Sequence, residues 1–196
     1  LVKIDDDAFC QTGVEFLRVR SIQPIAVELV SGRGLQELHS PDVLFHLAAN
    51  THTWEEDQSC NDVGTETLLR AVEPLGPRNH VIFTSTVAVA DNRTRLDEPL
   101  TAETPVTAPP LSRYGRSKWR AEEFLKALAK KAGFRLTILR LCTVYGTQPR
   151  PNTFFDVLKR EVARRSVLSR LNWPGLTSFI HVDDVVECLL AAVRSG

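Results

Sequence analysis

The sequence has no methionine, no excess charge of either sign and no long apolar run. Its 24 basic residues balance its 24 acidic residues, so no net field attracts nucleic acid or an anionic membrane surface. No apolar stretch approaches the roughly 20 residues of a membrane-spanning helix, and the first residues lack the apolar region of a signal peptide. We therefore expect a cytoplasmic protein that binds small molecules, with neither nucleic acid nor membrane as a partner.

Cysteine is also scarce, and Cys10, Cys60, Cys142 and Cys188 are scattered along the chain. They show neither Cys-x-x-Cys spacing nor paired histidines nearby, which argues against a metal site. The pattern is typical of reduced thiols in a cytosol-like compartment, although the sequence leaves disulfides open. Since 43% of the 196 residues are hydrophobic, the chain has enough apolar side chains for one domain with at most a small appendage.

Predicted strands and helices alternate along the chain. Continuous apolar runs indicate strands with both faces covered, and these runs lie at 24–30, 42–49, 81–83 and 136–141. Amphipathic patterns indicate helices, and these lie over 61–72 and 112–131. The alternation predicts an α/β fold with a parallel sheet and crossover helices.

Capping residues mark the ends of the two helices. Asn61 or Asp62 can cap the first, Ser112 can cap the second, and Gly133 stops the second. The apolar side chains of the second helix are predicted to face the core, and they are Trp119, Phe124, Leu125 and Leu128.

The two ends of the chain give weaker patterns. Near the start we expect a strand around residues 14–19 and a brief helix around 35–38. Near the end, after a turn at 147–151, a helix is predicted over 153–165. A short strand at 178–182 then leads into a helix capped by Asp183 or Asp184.

Tyr114 and Lys118 stand four residues apart at the head of the predicted helix over 112–131. Residues at this spacing share one helix face, so the Lys118 ammonium could stabilise the Tyr114 phenolate and lower a pKa that starts near 10. A tyrosine with such a pKa can act as a general acid or base near neutral pH. Taken alone, however, the spacing favours the ordinary alternative, a packed tyrosine followed one turn later by a solvated lysine.

The order of six short motifs decides between these interpretations. They are VLFHLAA at 43–49, NDVGT at 61–65, FTST at 83–86, YGRSK at 114–118, LR with VYG at 139–146, and FIHVDD at 179–184. In this order they make the chain resemble the extended short-chain dehydrogenase/reductase family, which includes the NAD-dependent nucleotide-sugar epimerases and dehydratases. The resemblance covers roughly residues 24 to 194.

The resemblance implies a doubly wound, Rossmann-like parallel sheet that binds NAD or NADP at its carboxyl edge. Tyr114 would exchange the proton of a substrate hydroxyl or carbonyl oxygen while a hydride moves between that carbon and the nicotinamide. Lys118 would lower the pKa of the tyrosine and hold the nicotinamide ribose. Thr86 would hydrogen-bond the same substrate oxygen. The expected substrate is a nucleotide sugar.

The resemblance also places further residues at the ligands. Glu28 would accept a hydrogen bond from the adenine amine, although a charged residue ends a strand by chance about as often. Asn61 would bond both backbone and cofactor, or would only cap its helix. The resemblance places four further residues against the dinucleotide: Leu47, Ala48, Ala49 and Cys142. It places two residues against the substrate, Thr86 and Thr143. His46 and His181, in apolar strands, are interpreted as hydrogen-bonded structural residues.

The family's first strand and glycine-rich phosphate-binding turn are missing from residues 1 to 35. We expect an N-terminally truncated sheet, either because the gene product continues upstream or because the member is degraded. Ala90 and Asp91 replace a frequent Tyr-Gly, and Leu141 replaces a frequent proline, which leaves the substrate class open. The expected organisation is a partial dinucleotide-binding domain over 1–146, the start of a substrate-binding segment over 147–177, and a strand and helix over 178–196.

Several alternatives stay open. A ketone reductase of the steroid or flavonol type would use the same tyrosine, and a non-catalytic fragment or regulatory scaffold would keep the fold alone. Retention of Tyr114, Lys118 and Thr86 together favours the enzyme. The choice between NAD and NADP is open, and a homodimer is one assembly that the resemblance allows. Residues 91–111, with four prolines, are expected to form a long functional surface loop.

Overall fold

A computed structural model describes residues 8–53, 55–92, 99–101, 104–106, 108–146, 154–166 and 178–195. The chain forms two compact units, Leu1–Arg140 and Leu141–Gly196. Of the proline-rich loop predicted over 91–111, and of the turn predicted at 147–151, several residues lie outside the described ranges.

The first unit is built around a three-stranded sheet. Its helices and strands are α1 (Ala8–Val19), β1 (Val43–His46), α2 (Val63–Ala71), β2 (His80–Thr86), α3 (Arg113–Ala132) and β3 (Arg135–Leu141), with short 3-10 helices at Leu35–Glu37 and Val87–Ala90. The strand order is β1-β2-β3. β1 runs parallel to β2, from Val43 opposite His80 to His46 opposite Phe83. The predicted α/β class with a parallel sheet is confirmed.

The central strand β2 and one face of the helices form the core. Val81, Ile82 and Phe83 are fully buried, as expected of a strand that is covered on both faces. Leu69 of α2 and Leu125 of α3 are also fully buried. Each such side chain contributes about 1.5–3 kcal/mol when removed from water. The packing of both helices on β2 therefore sets where α3, with Tyr114 and Lys118, begins.

The start of the chain corrects two predictions. The strand expected around residues 14–19 is the end of helix α1, in which Val14 is buried and Phe16 and Val19 are exposed. The run at 24–30 does not form a regular strand either: Ala26 and Glu28 are isolated bridge residues, and Glu28 pairs antiparallel with Arg33. Apolar content indicated burial in both places but did not distinguish the backbone conformations.

A tight turn explains why the run at 24–30 does not extend. The Gly32 amide donates to the Glu28 carbonyl at 2.9 Å, and the Glu28 amide donates to the Arg33 carbonyl at 2.9 Å. Gly34 has φ +84, and a Cβ there would lie 2.2 Å from the Ala26 carbonyl oxygen. The chain therefore reverses at once, and glycine is required for the close approach.

Both predicted caps of α3 are confirmed, and the structure shows which of the two candidate residues caps α2. The Ser112 hydroxyl oxygen accepts a hydrogen bond from the Gly115 amide at 3.0 Å, and Gly133 adopts the left-handed conformation after the last turn. Asp62, not Asn61, caps α2, since its carboxylate accepts from the Val63 amide at 2.8 Å. Of the side chains predicted to face inward, Leu125 is fully buried, Phe124 and Leu128 pack partly buried against the core, and Trp119 is half-buried.

The described residues of the second unit form a two-stranded parallel sheet and two helices. They are β4 (Thr143–Tyr145), α4 (Phe154–Ala163), β5 (Phe179–His181) and α5 (Val182–Arg194). β4 pairs with β5 from Thr143 opposite Phe179 to Tyr145 opposite His181. The cap of α5 is His181, whose ring nitrogen accepts from the Asp183 amide at 3.2 Å. The prediction that Asp183 or Asp184 caps this helix is therefore wrong, because both lie inside its first turn.

Two general findings concern the described part of the chain. No helix there combines the length and apolarity needed to cross a bilayer. No cluster of three or more His, Cys, Asp or Glu side chains there is arranged to hold a metal ion.

Candidate active site

Thr86 and the first turn of α3 lie side by side because Asp91 connects them. Asp91 follows the 3-10 helix that begins directly after Thr86. Its carboxylate accepts hydrogen bonds from the Leu111 amide at 2.5 Å, the Ser112 amide at 3.0 Å and the Ser112 hydroxyl at 2.6 Å. The acidic residue that replaces a frequent family glycine thus fixes the helix that carries Tyr114, a role that the sequence did not indicate.

Gly115 allows α3 to approach this 3-10 helix closely. A Cβ at Gly115 would lie 2.5 Å from the Ala88 carbonyl oxygen and 2.7 Å from the Ser112 hydroxyl oxygen. Real Cβ atoms do not come that close to backbone oxygens. Only glycine therefore permits the approach that places Tyr114 against Thr86.

Tyr114 is partly buried and interacts with the Thr86 hydroxyl. Burial raises the pKa of the Tyr114 phenol above its ordinary value of 10, and a hydrogen bond with Thr86 offsets only part of that rise. The expectation that Lys118 lowers this pKa is wrong for the chain as the structure shows it. The phenol is protonated at neutral pH, and the hydrogen bond that lowers its pKa is one in which the Thr86 hydroxyl donates to the phenol oxygen.

Lys118 is almost entirely buried, with 1% of its surface exposed. Its Nζ lies 4.0 Å from the centre of the Phe83 ring, a cation–π contact. Among the described residues it has no hydrogen-bond partner. Burial lowers the pKa of Lys118 to about 8, although electrostatic interactions with Cys60 and Glu122 act to raise that pKa. An ammonium with all its donors unused inside a protein is costly unless a ligand supplies acceptors.

A second charged residue lies one turn beyond Lys118 on the same face of α3. The Glu122 side chain is fully buried and holds Arg140 of β3 by two hydrogen bonds, Oε1 to Nε at 3.0 Å and Oε2 to Nη2 at 2.7 Å. Burial alone would raise the pKa of Glu122, but the hydrogen bonds and the charge of Arg140 keep it below its ordinary value. Sequence reasoning missed this pair, although the four-residue spacing from Lys118 placed Glu122 on the inward face.

Asn61 is a fully buried hydrogen-bonding centre. Its Oδ1 accepts from the Asn50 amide at 2.7 Å, and its Nδ2 lies at donor distance from the Asn50 carbonyl, the Gln58 Oε1 and the Ser117 Oγ. The Ser117 hydroxyl in turn donates to the Tyr114 carbonyl at 2.9 Å. Asn61 thus links the loop after β1 to the first turn of α3, and its contact with the cofactor stays a prediction.

His46 is structural, in agreement with its interpretation from the sequence. Its Nε2 lies 2.7 Å from the Thr65 hydroxyl oxygen, and that hydroxyl donates to the Asn61 carbonyl at 2.6 Å. Because the hydroxyl has one proton, the histidine must be the donor to it, which assigns the proton to Nε2. Burial, and then the Lys118 charge, lower the pKa of His46 to about 3. The ring is therefore neutral.

The strand ends bring several predicted cofactor contacts to one edge of the sheet. Leu47, Ala48 and Ala49 follow the carboxyl end of β1, and Thr86 ends the neighbouring parallel strand β2. Leu47 is half exposed, while Ala48 also packs against the core. These positions leave an apolar surface at the same edge as Tyr114.

Glu28 is engaged in its own turn. Its carboxylate oxygens accept from the Val30 amide at 3.0 Å and the Ser31 amide at 2.7 Å, and the hydrogen bonds with Ser31 lower its pKa.

In the second unit, Thr143 is exposed at the start of β4 and Cys142 is a half-buried free thiol. The ligand contacts expected of these two residues and of Glu28 stay predictions.

Comparison with known proteins identifies the family. The model of the NAD dependent epimerase/dehydratase family matches residues 18–196. The chain belongs to this family. The resemblance drawn from the six motifs is thereby confirmed, and the match extends over nearly the whole chain.

Individual members of this epimerase/dehydratase family resemble parts of the chain. An Escherichia coli O157:H7 protein, N-acetyl-alpha-D-glucosaminyl-diphospho-ditrans,octacis-undecaprenol 4-epimerase, is 38% identical over 141 residues, which are 69% of this chain and 40% of that protein. The UDP-glucose 4-epimerase of Mycoplasma pneumoniae is 31% identical over 153 residues, which are 74% of this chain and 44% of that protein. The chain therefore spans less than half the length of these relatives.

Solved structures of the family confirm the Rossmann-like fold. A Bacillus cereus UDP-glucuronic acid 4-epimerase mutant, in complex with UDP-4-deoxy-4-fluoro-glucuronic acid and NAD, matches with a TM-score of 0.76 and 26% identity. The match covers 95% of this chain and 61% of that chain. The UDP-glucose 4-epimerase of Thermotoga maritima, solved with UDP-glucose, has a TM-score of 0.63 at 24% identity, over 93% of this chain and 69% of that chain, which shows the fold alone.

Proposed function

We propose that this chain is the catalytic part of an NAD(P)-dependent epimerase or dehydratase that acts on a nucleotide sugar. The observation that carries the proposal is the Lys118 ammonium, which is buried and has no protein acceptor within the described residues. It lies one helical turn from Tyr114, which interacts with Thr86. A non-catalytic scaffold gains nothing from a buried, unsatisfied ammonium at this place.

The residues present fit the nicotinamide ribose and the rings of a dinucleotide, while the glycine-rich turn that holds the pyrophosphate in the family is missing from residues 1 to 35. The three donors of Lys118 suit the hydroxyl groups of the nicotinamide ribose, and the surface of Leu47, Ala48 and Ala49 suits the flat, largely apolar rings of the cofactor. When bound, the nicotinamide supplies the group that accepts or returns a hydride at the substrate carbon. Cys142 is proposed to lie beside it, and Glu28 is proposed to face the adenine after release from its turn.

Tyr114 is proposed as the acid and base for the substrate oxygen, and Thr86 as its hydrogen-bonding partner. With its pKa raised by burial, the phenol is suited to return a proton to the carbonyl oxygen in the half-reaction that reduces the substrate carbon. In the opposite direction it must take a proton, and the phenolate is then stabilised by the Thr86 hydrogen bond and by the Lys118 ammonium one turn away. Thr143 is proposed to contact the substrate.

Nucleotide sugars are preferred as substrates because the Mycoplasma pneumoniae relative is named as a UDP-glucose 4-epimerase. The Escherichia coli relative is named as a 4-epimerase of a sugar linked through diphosphate to undecaprenol, so it supports the sugar 4-position chemistry but not the nucleotide. The Bacillus cereus structure, at 26% identity, contains a UDP-sugar analogue and NAD. These names support a sugar 4-position chemistry over a ketone reductase of the steroid or flavonol type. NAD is preferred over NADP on the same ground.

A homodimer is proposed as the assembly of the chain. Light scattering after gel filtration tests this, and a monomer at micromolar concentration would contradict it.

The test of the function compares the unaltered protein with Tyr114→Phe. We expect NAD-dependent interconversion of a 4-epimeric UDP-sugar pair by the unaltered protein, and a rate about 10²- to 10⁴-fold lower for Tyr114→Phe. NAD affinity, measured by calorimetry, should stay within about threefold, because the variant keeps Lys118 and loses only the phenol oxygen. An unchanged turnover rate in the variant would remove Tyr114 as the acid and base.

A further inference from the structure

Lys118 and Glu122 form an unusual arrangement of opposite charges that do not pair. They stand four residues apart on the inward face of α3, and both are almost fully buried. Side chains at this spacing meet readily in helices. Yet the Lys118 Nζ lies over the Phe83 ring and has no hydrogen bond, whereas both Glu122 oxygens bond Arg140.

Arg140 explains why the two charges stay apart. Its guanidinium holds Glu122 in a fork of two hydrogen bonds, and Lys126 adds a weaker contact to Glu122 Oε2 at 3.4 Å. Such bidentate pairs are geometrically specific as well as strong. The carboxylate is therefore directed toward β3 and away from the lysine.

The other groups that face Lys118 do not replace Arg140 in this role. His46 on β1 is neutral and already donates to Thr65. Phe83 on β2 offers only its ring face. Cys60, before α2, and Glu122 are the groups whose negative charge favours the ammonium form. Of these, Glu122 is the carboxylate, and it stands four residues from Lys118 on the same face of α3, where it could capture the ammonium in an ion pair.

We propose that Arg140 is a positioning residue for Lys118, which keeps Glu122 from pairing with the ammonium and so leaves that ammonium available to a bound ligand. This inference rests on the proposed function, because the ligand is taken to be the ribose of the dinucleotide. Glu122 supplies the compensating charge without consuming the donors. Arg140 touches neither substrate nor cofactor in this account and acts only through Glu122.

The experiment uses three variants: Arg140→Gln, Glu122→Gln and the double variant. Two readouts are taken, NAD affinity by calorimetry and the titration of Lys118 by NMR of isotopically labelled lysine, with Lys118→Met for assignment. In Arg140→Gln the freed Glu122 pairs with Lys118, so the lysine pKa rises above about 8 and NAD affinity falls about tenfold or more. Glu122→Gln lowers the lysine pKa and leaves the affinity within about threefold.

The double variant separates positioning from general damage. With the carboxylate removed, nothing captures the ammonium, so the double variant should regain the affinity of Glu122→Gln. A double variant as weak as Arg140→Gln, or an Arg140→Gln variant with unchanged lysine titration and affinity, would overturn the proposal. Arg120→Gln, which loses only an exposed pair with Asp62, is the matched control and should change neither readout.

Two further outcomes of the experiment need their own variant or readout. If Arg140→Gln does not fold, Arg140→Lys keeps the charge without the fork and should change both readouts in the same direction by smaller amounts. If the unaltered protein binds neither NAD nor NADP, the proposed function fails. The NMR titration then still decides, by itself, whether Arg140 separates Glu122 from Lys118.

Discussion

Asp91 and Ser112 are joined by two hydrogen bonds, from the Ser112 amide at 3.0 Å and from its hydroxyl at 2.6 Å, both to Asp91 Oδ2. Ser112 is also the cap of α3. The residue after the short helix that follows Thr86 thus holds the cap of the helix that carries Tyr114. The two parts of the candidate site are positioned relative to each other by this single carboxylate.

Asp91→Ala should therefore loosen the start of α3. Three hydrogen bonds lose their acceptor, and we expect the free energy of unfolding to fall by about 1–2 kcal/mol. Urea denaturation monitored by circular dichroism measures this. Asn92→Ala is the control, since it removes one exposed hydrogen bond to Pro109 and should cost less than about 0.5 kcal/mol. Equal losses in the two variants would contradict the role of Asp91.

Gly115→Ala should damage the same place by steric overlap. The new methyl group would lie 2.5 Å from the Ala88 carbonyl oxygen, so α3 must move, at a cost of about 1–3 kcal/mol. Gly76→Ala is a matched control, because a Cβ there meets no atom within 4 Å. Thermal unfolding should show a lower midpoint for Gly115→Ala and no decrease for Gly76→Ala. A Gly115→Ala variant as stable as the unaltered chain would show that the approach is not tight.

His46 should make stability depend on pH. Its pKa is lowered from 6.5 to about 3 in the folded chain, so the unfolded chain binds the proton first as the pH falls. The contribution is complete above pH 6.5 and declines toward pH 3, by up to about 5 kcal/mol. Urea denaturation between pH 7.5 and 4 measures the slope for the unaltered protein.

The matched variant for this slope is His46→Gln, whose amide can still donate to Thr65 but does not titrate. Its stability should fall less steeply over the same pH range. His80, with a pKa lowered by burial and by Arg135, contributes to both proteins and cancels in the comparison. Parallel slopes would mean that His46 is not buried as a neutral ring.

Local signals and motif order predicted much of the fold. Ser112 and Gly133 bound α3 as expected because a hydroxyl cap and a left-handed glycine act within a few residues. The continuous apolar run over 81–83 gave the central strand because a strand buried on both faces needs no polar alternation. The family was predicted from the order of six motifs, because each motif fixes the backbone or a ligand contact at one place in the same fold.

Other features depend on distant partners and were not predictable. Residues 24–30 have the composition of a strand, but the turn at Gly32 and Gly34 limits them to isolated bridge residues at Ala26 and Glu28. Arg140 and Glu122 are separated by 18 residues and read individually as ordinary surface charges. The direction of the Tyr114 pKa shift was mispredicted because spacing alone does not report burial, and burial is the larger effect here.

The central claim is that the buried Lys118 ammonium is kept for a dinucleotide. Calorimetric titration of NAD into Lys118→Met, with Lys130→Met in the last turn of α3 as control, tests it most directly. The account predicts that NAD affinity falls about tenfold or more for Lys118→Met, with both variants folded and Lys130→Met unchanged. Equal NAD affinity in the two variants would contradict the account.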